Sequence, residues 1–106
     1  MAWAVLDLET TIKSYAKRKA SPFHPDNWVV MAGWATKADP KPTGQRYPQG
    51  KWRERLTEDF IKLLDGTRFI VGQNVKFDIL HIINDPRALD AWMEYVAGGG
   101  LVWDLQ

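Results

Sequence analysis

Arg68-Phe69-Ile70-Val71-Gly72-Gln73-Asn74-Val75-Lys76-Phe77-Asp78 is the stretch that decides the fold class. Its first four residues read as a short buried strand, closed by Gly72. The pattern then predicts a helix that starts near Asn74 and runs to about Ile83. A strand that feeds straight into a helix is the repeating turn of α/β layer folds. In open sheets of that kind, ligands collect outside the carboxyl ends of the strands. Asn74 and Asp78 are four apart, hence one helical turn from each other on one face. Alone, the pair supports a plainer reading equally well, with Asn74 as an N-cap and Asp78 as a solvated helix acid.

Upstream, Trp3 to Leu8 is apolar and β-branched enough for a buried strand, with Asp7 and Glu9 at its far end. Side chains two apart on a strand share a face. Two carboxylates on one face repel unless a cation lies between them, and Mg²⁺ and Mn²⁺ favour oxygen ligands of this kind. By itself an Asp-x-Glu pair more often marks a strand end beside solvent. If this strand and the one before Gly72 are parallel neighbours, Asp78 faces the Asp7/Glu9 pair.

Between these two stretches, Thr10 to Asn27 reads as a long loop containing Ser14, Ser21, Pro22 and Pro25. Trp28 to Thr36 is a second strand. Asp39, Pro40, Pro42 and Gly44 mark a turn, and Gln45 to Gln49 returns as a third strand to make a hairpin. Thr57 reads as the N-cap of a helix, with Glu58 and Asp59 in its first turn and Phe60, Ile61, Leu63 and Leu64 at helical spacing before Gly66. Asp85-Pro86 opens another helix, with Asp as N-cap and Pro at the first helical position. That helix stops at Gly98-Gly99-Gly100, and Leu101 to Trp103 forms a last strand. The order predicts an α/β fold with a mixed sheet, an antiparallel hairpin at one side and parallel strands joined by flanking helices at the other.

Composition narrows the class. At 106 residues the chain fits one domain, 1–106, with one core. Apolar residues at 45% and charged residues at 25% exclude a disordered chain. The six tryptophans supply material for a core. With no cysteine, a disulfide framework and a thiolate metal site are both ruled out, and a reducing cytoplasmic compartment is compatible. The first residues, Met-Ala-Trp-Ala-Val-Leu-Asp, are not a secretory signal, and no apolar run is long enough to span a bilayer. A net charge of +1 says little about partners, so the distribution matters more. Lys13, Lys17, Arg18 and Lys19 follow the first acidic pair, and Lys51, Arg53 and Arg55 form a second group; each run alone is more often a solvated face.

Together these elements become specific. Val5-Leu6-Asp7-Leu8-Glu9-Thr10-Thr11 resembles the first motif of the DEDD superfamily of 3′–5′ exonucleases. Gly72-Gln73-Asn74-Val75-Lys76-Phe77-Asp78 resembles the second. The intervening hairpin and helix match in order, as does the Val102-Trp103-Asp104 strand. Ser21-Pro22-Phe23 leading into Trp28-Val29-Val30 looks closest to the proofreading domains of phage-type DNA polymerases.

The resemblance covers nearly the whole chain and implies an RNase H-like fold. It also implies removal of nucleotides from DNA 3′ ends with two divalent cations, Mg²⁺ or Mn²⁺. By the same resemblance Asp7, Glu9 and Asp78 are metal ligands. Asp7 would bridge the two ions, Glu9 would serve the one on the nucleophile side, and Asp78 would bind the second. Thr10 and Asn74 would touch the substrate strand, and Lys17 and Arg18 would meet its phosphates. The implied partners are a single-stranded DNA 3′ end and a polymerase domain or subunit, with no membrane.

The family's third motif, a Tyr or His followed four residues later by a last Asp ligand, has no match before Gln106. Read as the front part of such a domain, truncated before the last helices, the chain is expected to need a fourth ligand from elsewhere and to degrade single strands poorly or not at all. Asp104 matches the family's strand-end acid rather than that ligand. His24 and His81 read as structural histidines. Two rival readings stand beside this one: a non-catalytic relic of the fold that binds strands or serves structurally, and an RNA-directed exonuclease with the same ligands.

Overall fold

The computed structural model describes residues 2–10 and 28–105. Five strands and three helices follow in the order β1 (Trp3–Thr10), β2 (Val29–Thr36), β3 (Thr43–Arg46), α1 (Trp52–Leu64), β4 (Phe69–Gly72), α2 (Val75–Ile82), α3 (Pro86–Ala97) and β5 (Leu101–Asp104). The strands form one sheet in the order β3-β2-β1-β4-β5. β1 pairs antiparallel with β2 and parallel with β4. β3 extends the antiparallel side and β5 the parallel side. This is the mixed RNase H-like sheet expected from the sequence, and its parallel core places β1 beside β4.

β1 shows how the sequence divides the sheet into two faces. Ala4, Leu6 and Leu8 are buried, whereas Val5, Asp7 and Glu9 are exposed. The buried set joins Ala32 and Ile70 from neighbouring strands. It packs with Leu56, Phe60, Leu63 and Leu64 of α1, with Val75, Ile79 and Ile82 of α2, and with Ala88 of α3 in one cluster. On the opposite face Val5, Leu101 and Trp103 are exposed. The carboxylates Asp7 and Glu9 belong to this second face.

Several local expectations need correction. α1 begins at Trp52, and Thr57 is no N-cap: it is buried within the helix, 1% exposed. Leu56, one turn before Phe60, already belongs to the apolar stripe, which is why the helix starts upstream. Glu58 and Asp59 therefore lie in mid-helix, where Asp59 accepts a hydrogen bond from the Tyr47 hydroxyl at 2.7 Å. Burial and that bond push the Tyr47 hydroxyl well above its ordinary pKa. β3 occupies Thr43–Arg46 rather than Gln45–Gln49, because Tyr47 turns inward to join the core. Thr10 lies in β1 rather than in a loop, with an irregularity in pairing between Glu9 and Thr10. None of the tryptophans among the described residues is fully buried. Trp34, Trp52 and Trp92 pack around the core instead, as large rings with a polar N–H commonly do. The rest of the expected loop, with Lys13, Lys17, Arg18, Lys19 and His24, lies outside the described residues, as does the Ser21-Pro22-Phe23 stretch.

Candidate active site at the carboxyl ends of the parallel strands

Gly72 governs how α2 meets the sheet. A Cβ at this position would stand 2.7 Å from the Leu6 carbonyl oxygen and 2.9 Å from the Val75 Cβ. Only the absent side chain lets β4 turn into α2 this close to β1. Asn74 then takes a left-handed conformation, φ 55° and ψ 35°, which Asn tolerates better than most residues. It occupies the N-cap position of α2, but its side chain makes no capping bond. The helix proper starts at Val75.

The cap comes from the far end of the chain. Asp104, the last residue of β5, lies opposite Gly72 in the parallel register. Its Oδ1 accepts from the Asn74 amide at 2.9 Å, and its Oδ2 accepts from the Lys76 amide at 3.3 Å. A carboxylate here satisfies two of the open amides of the first turn and favours the positive end of the helix. The sequence places Asp104 at a strand end but signals no such role. The partner amides are about thirty residues away, and capping signals are read locally. Replacing Asp104 by Ala is expected to cost about 1–3 kcal/mol, the range for a lost cap and for charged hydrogen bonds. Urea denaturation checks this, and a cost within error of zero would contradict the capping role.

The capped helix carries Asp78 under the sheet edge. Asp78 is 8% exposed, and its Oδ2 accepts a hydrogen bond from the Leu8 amide at 3.3 Å. Asp78 therefore lies against β1 and is no solvated acid, but of the Asp7/Glu9 pair expected to face it only Asp7 acts on its charge, and among the described residues the three acids do not group. Burial raises the Asp78 carboxyl, the Leu8 amide lowers it, and the charges of Asp7 and Asp104 raise it again; the balance lifts it from 3.8 to about 7. Asp7 and Asp78 are thus close enough to feel each other's charge. Glu9 lies two residues beyond Asp7 on the same exposed face. His81, one turn beyond Phe77, is 3% exposed and stacks edge-on against that ring at 4.8 Å, in keeping with a structural histidine.

The donor set suits a hard divalent ion, since all three acids offer oxygen ligands. A carboxyl raised chiefly by burial, and further by the charges of Asp7 and Asp104, is also a group that a cation would relieve. The fit is incomplete: among the described residues no three His, Asp or Glu side chains group closely enough to hold an ion. Asp7 and Asp78 form the converged part, with Glu9 alongside on β1. Asn74 stands at the same edge, one turn before Asp78, and Thr10 ends β1 there; Lys17 and Arg18 lie outside the described residues.

No family model matches the chain, and no curated protein sequence matches it. Its structure is similar to that of the family B DNA polymerase from the hyperthermophilic archaeon Pyrobaculum calidifontis, with a TM-score of 0.56 and 20% sequence identity. The match covers 84% of this chain but 11% of the polymerase chain. The chain thus shares its mixed α/β fold with a small segment of a DNA polymerase.

Proposed function

We propose that the chain is a metal-dependent 3′–5′ exonuclease domain of the proofreading type, acting on DNA 3′ ends. The observation that carries this reading is the placement of Asp78. A helix leaving one parallel strand buries this acid against the neighbouring strand, beside Asp7 and next to the carboxyl ends where α/β sheets bind ligands. The two motifs of the exonuclease resemblance, far apart in sequence, meet there. Similarity of fold to a DNA polymerase segment supports the same reading.

In this proposal Asp7 and Asp78 would hold divalent ions from β1 and α2, and Glu9 would add a third carboxylate from β1 without completing the set. Bound Mg²⁺ or Mn²⁺ would lower the pKa of the attacking water and stabilise the departing 3′ oxygen. The protein's own contribution is rigidity. The Leu8 amide fixes one Asp78 oxygen, and Asp104 fixes the first turn of the helix that presents it. Asn74 and Thr10 flank the site as contacts for the terminal nucleotide. A polymerase domain or subunit is the natural source of such an end.

A second reading has an observation in its favour. Because no group of three acids closes among the described residues, the fold could serve as a non-catalytic, strand-binding relic. One assay separates the two. A 5′-labelled single-stranded oligonucleotide is incubated with the chain and Mn²⁺. Slow shortening from the 3′ end, abolished by chelator and by Asp7→Asn, is the expected result. Strands that stay intact support the relic where Mn²⁺ binding is absent too, because a site short of its fourth ligand is itself expected to degrade strands poorly or not at all; shortening that survives Asp7→Asn rules out the proposed site.

A further inference from the structure

The second basic group lies at the carboxylate end of the sheet. Across β1, β2 and β3, Glu9 is opposite Met31 and Met31 is opposite Arg46. Residues directly opposite each other share a face, so Arg46 lies on the face of Asp7 and Glu9, two strand spacings or about 10 Å from Glu9. The chain then turns at this same end. The Tyr47 amide bonds the carbonyl of Val30, which is next to Met31, and the Lys51 amide bonds the carbonyl of Pro48. α1 starts immediately afterwards and packs on the buried face of the sheet, opposite the face of Arg46, which leaves Lys51, Arg53 and Arg55 around its positive N-terminal end at the same end of the sheet.

Among the described residues none of these four cations is bridged to a carboxylate, and the one ion pair there joins Arg87 to Asp85. The Arg53 guanidinium instead lies 4.5 Å from the centre of the Trp52 ring. A cation stacked on an aromatic ring beside further cations suits a strand that offers phosphates and flat bases together. An acidic polypeptide would use the charges but not the ring. The floor between this corner and the carboxylates is also bare. The next row across the sheet is Asp7–Gly33–Gly44, and a Cβ at either glycine would make only ordinary contacts, 3.8 Å or longer. Packing within the chain therefore does not require glycine at these two positions.

We infer that Arg46, Lys51, Arg53 and Arg55, with Trp52, form a contact surface for the phosphates of single-stranded nucleic acid, from which the strand crosses the Gly33–Gly44 floor toward Asp7. The direction of that path rests on the proposed exonuclease reading; the surface itself does not. It reads backbone charge rather than sequence.

The test measures binding of a fluorescein-labelled oligo(dT) 20-mer in EDTA at several salt concentrations. With no divalent ion present, the result is independent of whether the carboxylates hold metal. The variant is Arg46→Glu/Lys51→Glu/Arg53→Glu. Two of its acids fall at the start of α1, where they favour the helix, and circular dichroism confirms folding. The expected result is at least tenfold weaker binding at low salt. The slope of log K against log salt should be shallower by about 2, near 0.7 for each phosphate that is no longer neutralised. Glu94→Gln, which alters an exposed acid on α3, should bind as well as the unmodified chain. Equal affinity in the triple variant, or no binding by the unmodified chain, would overturn the surface. So would competition by poly-glutamate as effective as that by oligo(dT) of equal charge, which would assign the surface to an acidic polypeptide.

Discussion

Asp78→Asn should make the metal-free protein more stable at pH 8, although it replaces a buried side chain. The reason is the charge at this site. The unfolded chain releases the Asp78 proton near the ordinary value of 3.8, and the folded chain holds it to about 7. Between those values the folded state binds more protons than the unfolded state, so its stability falls as pH rises. Below about pH 4 there is no penalty, and above about pH 7 the full penalty applies. An Asn at this position keeps an oxygen to accept from the Leu8 amide and carries no charge. The variant should therefore match the unmodified chain near pH 4 and exceed it by roughly 1–3 kcal/mol at pH 8, once relaxation of the site toward water is allowed for. Adding Mn²⁺ should reverse the order at pH 8, because an ion that binds only the folded, charged site stabilises the unmodified chain. Urea titrations in EDTA and in Mn²⁺ read both effects. A variant less stable at pH 8 than at pH 4, relative to the unmodified chain, would show that Asp78 is not held against its charge.

Phe60→Ala is the second large effect and acts through packing alone. Phe60 is 2% exposed at the centre of the α1 stripe, with its ring 6.2 Å from that of Trp92 on α3. Removing a buried aromatic of this size costs about 3–5 kcal/mol. A domain this small has about 5–15 kcal/mol in total, so the variant should lie near the edge of unfolding. The cost should not depend on pH or on Mn²⁺, which distinguishes it from Asp78→Asn. A loss below about 1 kcal/mol by denaturant titration would place the core elsewhere.

Features written in periodic patterns are legible in the sequence. The alternation of Ala4, Leu6 and Leu8 with Val5, Asp7 and Glu9 defines both the strand and the shared face of the two acids. Gly72 and the apolar run before it locate the strand-to-helix turn, and Asp85-Pro86 opens α3 as expected, with the Asp85 Oδ1 accepting from the Arg87 amide at 2.9 Å. Features that depend on distant partners are not legible in this way. Asp104 caps α2 from another strand. Local spacing puts Tyr47 in a strand, yet it turns into the core and bonds Asp59. The acidic neighbours of Thr57 suggest a cap, though Leu56 already belongs to the buried stripe. The basic residues at the start of α1 look like an ordinary solvated run, and Arg46 stands outside that run because the pairing register of three strands, not local spacing, puts it on the face of Glu9.

The central claim is that Asp7 and Asp78 together hold a divalent ion. It is tested most directly by calorimetric titration of Mn²⁺ into the chain at pH 8, beside Asp7→Asn, Asp78→Asn and the exposed helix acid control Glu58→Gln. The structure leads us to expect binding that weakens at least tenfold in each of the first two variants and is unchanged in the third. Equal Mn²⁺ affinity in all four proteins would contradict the account.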